Sequence, residues 1–314
     1  MLKHYFAFLA LLMLSSCSLK TKFEPRITYI PPTTRISDLP SAFQPLTEEE
    51  RTQDWGKELI LGNAFAEEWD LYRAITCYKR ALILLPCDNI DRKLQIEYDL
   101  ILAYYLGQKY QEAINIFEAG SISNANADFP AFSNLAILLY DCYLQIKQEE
   151  KATCVYQIIE KASPETAQDL ALYTDIKAGD IAAVQVDIDC HPKRECLQAD
   201  FDNYYEFAKS PKKARLYNAI LPGLGYYYVG QKRAAVTSFL INALFTAAAY
   251  QFFHKGYIAA GAITASIEYG WYYGGINGAG IAANEFNQSL FEGTGKKILS
   301  DNNCFPVLIF ETSF

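Results

Sequence analysis

Few residues in this 314-residue chain are placed for covalent chemistry. No Ser/His/Asp set and no metal-spaced histidine cluster occurs among its 3 histidines, so no catalytic residue, metal or cofactor is expected. The stretch "LPGLGYYYVGQ" (221–231) is rich in glycine, but it leads into Lys232-Arg233-Ala234. A phosphate-cradling loop needs a following Lys-Ser/Thr. Pro222, Gly223 and Gly225 therefore read as a hinge that ends one short helix, with Tyr226 to Tyr228 placed where amphipathic rings favour a polar–apolar boundary. The titratable group that stands out is Glu268, alone in an apolar run. A carboxylate at membrane depth is costly. It is either functional, in proton or substrate handling, or held by a polar neighbour such as Asn242, Thr246 or His254.

The cysteines carry the other candidate chemistry. Lys3 and His4 precede "YFAFLALLML", about the size of a signal-peptide core and too short to span a bilayer. The run ends in Leu14, Ser15, Ser16 and Cys17, which resemble a bacterial lipobox. That resemblance implies cleavage of residues 1–16, lipid on the Cys17 thiol and a mature chain on the extracytoplasmic side of the envelope. Two acyl chains anchor stably where one is marginal. The alternative is an ordinary cleaved signal peptide containing a cysteine. Cys77, Cys87, Cys142, Cys154, Cys190, Cys196 and Cys304 follow, in a compartment that permits disulfides. Their number is odd, so one stays free or pairs between chains. "CHPKREC" (190–196) either closes a small loop or holds two free thiols, and it lacks zinc-ligand spacing.

These groups must be carried by elements that the sequence also outlines. The formal charge of -8 excludes the basic face that nucleic acid requires. Residues 17–46, rich in proline, read as an extended tether, with a reach of up to roughly 90 Å at ~3.1 Å per residue. Residues 47–208 carry an internal repeat. "WGKELILGNAFAEEWDLYRAITCYKRALILLP" places small residues at Gly62, Ala74 and Ala81, aromatics at Phe65 and Tyr78, and a closing Pro86. Tyr104, Ala113, Phe117 and Gly120 repeat the pattern, as do Tyr143, Ala152, Tyr156 and Pro164. Small residues let two antiparallel helices touch, aromatics fill the space between them, and proline ends the second helix. Ala74, Ala113 and Ala152 are 39 and 39 residues apart. The pattern resembles the tetratricopeptide repeat, lengthened at each junction by "NIDRK" and "DFPAF". A mainly α fold follows: a right-handed α-solenoid, with "TAQDLALYTDIKAGDIAAV" as a fourth short unit or cap and "RECLQADFDNYYEFAKS" sealing the end.

In that family the concave groove is lined from the first helix of each repeat. Carried over, the lining is Asn63 and Glu67, then Gln95, Tyr98, Leu102 and Tyr105, then Asn134, Ile137, Asp141 and Gln145. No Lys or Arg is among them, which disfavours clamping of a terminal carboxylate. The resemblance implies a protein partner bound as an extended or helical peptide, with tyrosines as anchors and asparagine gripping backbone. The alternative is that these side chains pack against neighbouring repeats or face water.

Residues 209–288 read as a hydrophobic helical hairpin. Residues 234–253 are twenty residues without a charge, long enough to span a bilayer, and 256–283 form a second apolar helix after a turn at His254-Lys255-Gly256. Ala262, Ser266, Gly270, Gly274, Gly278 and Ala282 put a small residue at every fourth place, a stripe that lets another helix approach closely in lipid. The partner helix is 234–253, the segment before the turn, or a second copy in a homo-oligomer. "ILPGLGYYYVGQ" before an apolar hairpin resembles small two-helix membrane units related to TM2-type domains. Tyr226 stands where that family has Gln, and the resemblance implies location rather than chemistry. Lys209, Lys212, Lys213, Arg215, Lys232 and Arg233 flank the hairpin against Lys255 in its turn. If Cys17 lies outside the cytoplasm, that asymmetry opposes the positive-inside rule. Three readings stay open: the lipobox is not one, the hairpin dips into one leaflet, or the basic residues meet anionic headgroups.

The tail, 289–314, ends in "NCFPVLIFETSF" and is expected to dock on the body as a strand or plug. Together these features point to a non-enzymatic, lipid-anchored envelope scaffold that binds a protein and the lipid bilayer. The alternatives are a membrane-embedded transport or insertion component using Glu268 and a soluble helical interaction protein.

Overall fold

The structure is a computed structural model that describes Phe23, residues 25–29, Arg35, Ile36 and residues 38–314. Cys17, the signal-like run and most of 17–34 lie outside the described residues. Among the described residues the chain is mainly helical and holds no β-strand, apart from one isolated parallel bridge between Ser41 and Ser313. It divides into two compact units. One comprises Thr28–Ile176, Ile181–Arg194 and Ile298–Phe314. The other comprises Lys177–Asp180, Glu195–Lys297 and the described residues before Thr28.

The first unit is a series of helix pairs. After α1 (Glu48–Thr52) come α2 (Asp54–Glu67) with α3 (Leu71–Leu84), α4 (Ile90–Leu106) with α5 (Tyr110–Ala119), and α6 (Phe132–Gln145) with α7 (Glu149–Ala162). Two more helices follow, α8 (Pro164–Ala178) and α9 (Ile181–Cys190), with Gly179 between them at φ 75°. Side-chain oxygens start several of these helices. Thr47 and Glu50 form a reciprocal capping box at α1, and Asp70 and Asn89 accept from the third backbone N–H beyond them at α3 and α4.

The repeat is written most clearly in the backbone between paired helices. Trp69, Gln108 and Lys147 all have positive φ, at 62°, 57° and 60°, and 69, 108 and 147 are 39 apart. Each sits in the same turn. The N–H of Trp69 bonds Ala66 O and that of Asp70 bonds Phe65 O. Gln108 and Lys109 do the same to Tyr105 and Tyr104, and Lys147 and Gln148 to Leu144 and Tyr143. These bonds satisfy carbonyls that a helix end leaves without partners. The spacing first seen in Ala74, Ala113 and Ala152 is thus a spacing of turns, and all three alanines are buried.

Contact between paired helices follows from residue size. A side chain on Gly62 would begin 2.6 Å from the ring of Tyr78, so that ring lies flat on bare backbone. Tyr78 is fully enclosed, with Trp55, Leu59, Ala74, Ala81, Ile96 and Leu100 around it. The extra junction residues have distinct fates. Asn89 and the first turn of α4 absorb "NIDRK". A 3-10 turn at Ser121–Asn124 precedes "DFPAF", its N–H groups at Ser121 and Ile122 donating to the buried Glu97 carboxylate.

The second unit contains α10 (Arg194–Phe207), α11 (Pro211–Ile220), α12 (Leu224–Val229), α13 (Lys232–His254) and α14 (Ile258–Asp301). Within this unit α10 packs Phe201 and Tyr204 on Phe291 of α14. The second apolar helix was expected to end near 283, yet it runs unbroken for 44 residues to Asp301. Residues 289–301 are therefore helix rather than tail. The last turns of α14, from Ile298, belong with the first unit, where Ile298 and Leu299 are buried. A turn at Asn303, with φ 59°, then releases the chain into a short helix, α15 (Pro306–Ile309), and an extended end.

Candidate functional site

Three of the residues expected to line a groove, Tyr98, Tyr105 and Asn134, lie against one extended segment. That segment is residues 310–314 of the same chain. From α6, Asn134 grips it: Nδ2 donates to the carbonyl and hydroxyl oxygens of Thr312, each at 2.8 Å, and Oδ1 accepts from the Glu311 N–H at 3.1 Å. One amide side chain thereby satisfies both a donor and an acceptor of an extended backbone. Phe310 packs on Tyr105, ring centroids 5.7 Å apart, and Phe314 stacks on Tyr78 at 6.2 Å. Ser313 donates its N–H to Pro40 O.

The segment before α1 covers the neighbouring part. Phe43 lies against Tyr98 and Phe129, and Arg92 donates to Gln44 O and Pro45 O while pairing with Glu50 at 2.9 Å. Arg92 holds the Glu50 carboxyl down at about 2, chiefly through that hydrogen bond. The described part of the 17–46 tether, from Arg35 on, is thus docked rather than free, with Ile36 buried and Arg35 donating to Leu308 O. From Pro40 to Pro45 it is without helix and runs where side chains can hold its backbone.

Each expected groove residue has a defined place. Asn63 accepts from the Tyr78 hydroxyl at 3.0 Å and so serves the core of its own helix pair. Glu67 is exposed beside Ser313 and Phe314. Gln95 accepts from Arg92. Tyr98 is enclosed beneath Phe43 and takes a bond from Asn134, and burial pushes its phenol up to about 12. Leu102 and Ile137 are buried. Tyr105 donates to Asp141 at 2.8 Å, Tyr173 donates to the same carboxylate at 3.0 Å, and Gln145 donates to it as well. Burial, then the Asp141 charge, holds both phenols well above their ordinary range. Tyr98, Asn134 and Tyr105 therefore face the chain's own end, whereas Asn63, Gln95, Asp141 and Gln145 chiefly brace the walls. The expectation of an open groove is corrected on this point.

Sequence reasoning did not single out Arg92 or Phe43. It expected the tail to dock on the body as a strand or plug, without saying that Phe310, Thr312 and Phe314 would meet Tyr105, Asn134 and Tyr78.

In the second unit, the hinge is built from its glycines. Gly223 has φ 92°, and a Cβ there would fall 2.2 Å from Ala235 O. A Cβ on Gly225 would meet Ala214 O at 2.2 Å and Ala279 at 2.8 Å, so α12 lies against α14. Asn218, buried, accepts the Gly223 N–H at 2.9 Å. Asn287 of α14 brackets Lys209, accepting from its N–H at 2.7 Å and donating to its carbonyl at 2.8 Å. These glycines admit close backbone. Pro222 sits between α11 and α12, at the end of a helix as expected.

Helices α13 and α14 meet at Phe253 on Gly261, Thr246 with Glu268 and Ser238 near Gly275. The partners recede from the turn at Gly256 in step, so the helices run antiparallel. Of the three partners expected for the small-residue stripe, the segment before α13 meets its C-terminal part, where Ala282 clusters with Ala214, and α13 leaves Gly270 and Gly274 open. No atom lies within 4 Å of a Cβ placed on Gly270 or Gly274, while Gly278 meets the Tyr226 hydroxyl. Gly270 and Gly274, with Ser238, Asn242, Ser266 and Trp271, instead line a cleft of about 590 Å³. Asn242 is buried there, its Nδ2 bonded to Ser238 O and its Oδ1 without a partner. Glu268 takes one long contact, 3.5 Å, from Thr246, and its other oxygen is buried without a partner.

Lys232–His254 is the one helix among the described residues long and apolar enough to cross a membrane, with mean hydropathy 1.3. Only Ala235, Asn242 and Ala249 of it are buried, and Val236, Phe239, Leu240 and Leu244 are exposed.

One further cluster joins polar groups. Asp169 Oδ1 takes His191 Nε2 at 3.1 Å and the Cys304 thiol at 3.2 Å. The thiol faces the carboxylate rather than the imidazole, and burial followed by the Asp169 charge raises it far above its usual value. A nucleophilic cysteine needs the opposite. The cluster anchors the start of the chain end. The seven described cysteines are free, Cys190 and Cys196 both at the surface. No group of three or more metal-ligating side chains occurs among the described residues.

No family model, no curated protein and no solved structure matches this chain.

Proposed function

We propose that this chain is a lipid-anchored scaffold of the bacterial envelope, held at the membrane through Cys17 and the 209–288 unit, with a tetratricopeptide-type solenoid that binds a protein partner in its groove. Asn134 carries the groove reading, because it holds the backbone of an extended segment through both its donor and its acceptor. Such a grip depends little on the side chains of the bound peptide, so specificity falls to the ring contacts at Tyr105 and Tyr78. The turns recurring every 39 residues support the solenoid reading.

The membrane reading is supported by α13, whose large apolar side chains lie uncovered over its length. An apolar surface of that kind needs lipid or protein over it. The open stripe at Gly270 and Gly274 leaves room for a helix of a second copy.

Labelled palmitate tests the anchor. Incorporation that is lost in Cys17→Ser, with release of that variant from the membrane fraction by carbonate, is the expected outcome. Absence of label, or unchanged fractionation of Cys17→Ser, contradicts it. Glu268 favours a second reading, a transport or insertion component, through its partnerless buried oxygen. Full function of Glu268→Gln in a complementation assay removes that reading.

A further inference from the structure

The chain end differs from an ordinary core element in how it is held. Residues 310–314 make no helix, and groove side chains provide much of their grip: Asn134 on Glu311 and Thr312, Tyr105 on Phe310, Tyr78 on Phe314. The segment follows α15 and the Asn303 turn. Ordering a short extended segment costs conformational entropy that offsets much of what its contacts supply. Segments of that kind open locally while the core stays folded.

We propose that Phe310–Phe314 is an exchangeable ligand of the groove, carried in cis, and that the partner is an extended segment of the same chemistry. That chemistry is two aromatic rings four residues apart, with an exposed acidic residue and two small hydroxyl side chains between them, and a backbone open to Asn134. The inference rests on the peptide-groove reading above and adds the partner's class and a threshold for its entry. A tethered ligand competes at an effective concentration on the order of millimolar. A partner must therefore bind tightly, or be presented at high local density on the membrane, before it displaces the chain end. Ser313 is buried, bridged to Ser41 and bonded through its N–H to Pro40 O, which disfavours a bulky residue at that place in the partner.

The test uses the full chain in detergent and a labelled synthetic peptide of residues 304–314. The double substitution Phe310→Ala, Phe314→Ala releases the end, and this variant binds the peptide at least tenfold more tightly than the unaltered chain. Adding Asn134→Ala reverses that gain by about tenfold or more. Equal binding by the released and unaltered chains, with helicity retained, overturns the proposal. Should the released variant fail to fold, amide exchange in the unaltered protein decides. Amides of 311–314 exchanging at least tenfold sooner than those of α6 support an exchangeable ligand, and equal protection overturns it. A photo-crosslinker at Glu67, on the groove's exposed rim, separates the two readings. Partner adducts there without peptide exchange remove the cis-ligand proposal and leave the groove reading standing; loss of both removes both.

Discussion

Asn134 shows how one side chain decides what a surface can do. Its amide matches the donor–acceptor pair of a peptide backbone, and in this chain both halves are used on Glu311 and Thr312. Charged residues set the stability of the surrounding walls, with opposite pH signatures. Glu50 has its carboxyl lowered by Arg92, so its stabilisation is present above the unfolded value of ~4.3 and is lost as pH falls towards about 2. Arg92→Ala also frees Gln44 and Pro45 and is expected to cost about 2–3 kcal/mol, below the cost of breaking a fully buried pair. Denaturant titration at pH 7 and pH 2.5 checks this, and the difference between the proteins shrinks at the lower pH. Asp187 behaves the other way. Burial and the neighbouring Asp175 push it up to about 7, so its contribution is fully present below ~3.9 and is lost as pH rises through 7. Asp187→Asn therefore flattens the stability profile between pH 4 and pH 8. An unchanged slope contradicts the raised Asp187 carboxyl.

Among the elements, close helix contact separates two kinds of glycine. Gly62 is filled space, with the Tyr78 ring on its Cα, and Gly62→Ala is expected to destabilise the first unit by about 1–3 kcal/mol in thermal or denaturant unfolding. Gly270 and Gly274 are open space. Alanine at either is expected to leave the monomer folded and to raise helix stability by up to about 1 kcal/mol. Leucine at Gly274 separates the occupants of that cleft. Loss of chemical crosslinking between copies in a membrane shows that a helix sits there, and unchanged crosslinking shows that the stripe has no such role. The sequence could report the helix pairs because the small and aromatic residues recur locally, at one spacing, in Gly62, Ala74, Tyr78 and their counterparts. It could not report the length of α14, because glycine density near 274–280 reads as a place to stop. Arg215 and Tyr226 pack onto Gly280 and Gly278 and keep that stretch helical.

For the molecule as a whole, the filling of the groove was the feature hardest to foresee. Asn134 and Glu311 are 177 residues apart, and contacts at that separation leave no periodic trace. Docking of the tail was expected, but its place was not, since "FPVLIF" is too short to declare an element and Pro40, Ile36 and Phe43 sit in a proline-rich stretch without period. The account joins an anchor to a groove that grips extended chain. Site-specific photo-crosslinking in cells tests that union most directly, with the probe at Glu67 on the groove rim and, as a control, at Tyr72, which is 84% exposed on α3. The account predicts a discrete adduct from Glu67 in the membrane fraction, absent from Tyr72 and lost when Asn134→Ala is added. No adduct from Glu67, or the same adducts from both positions, would contradict it.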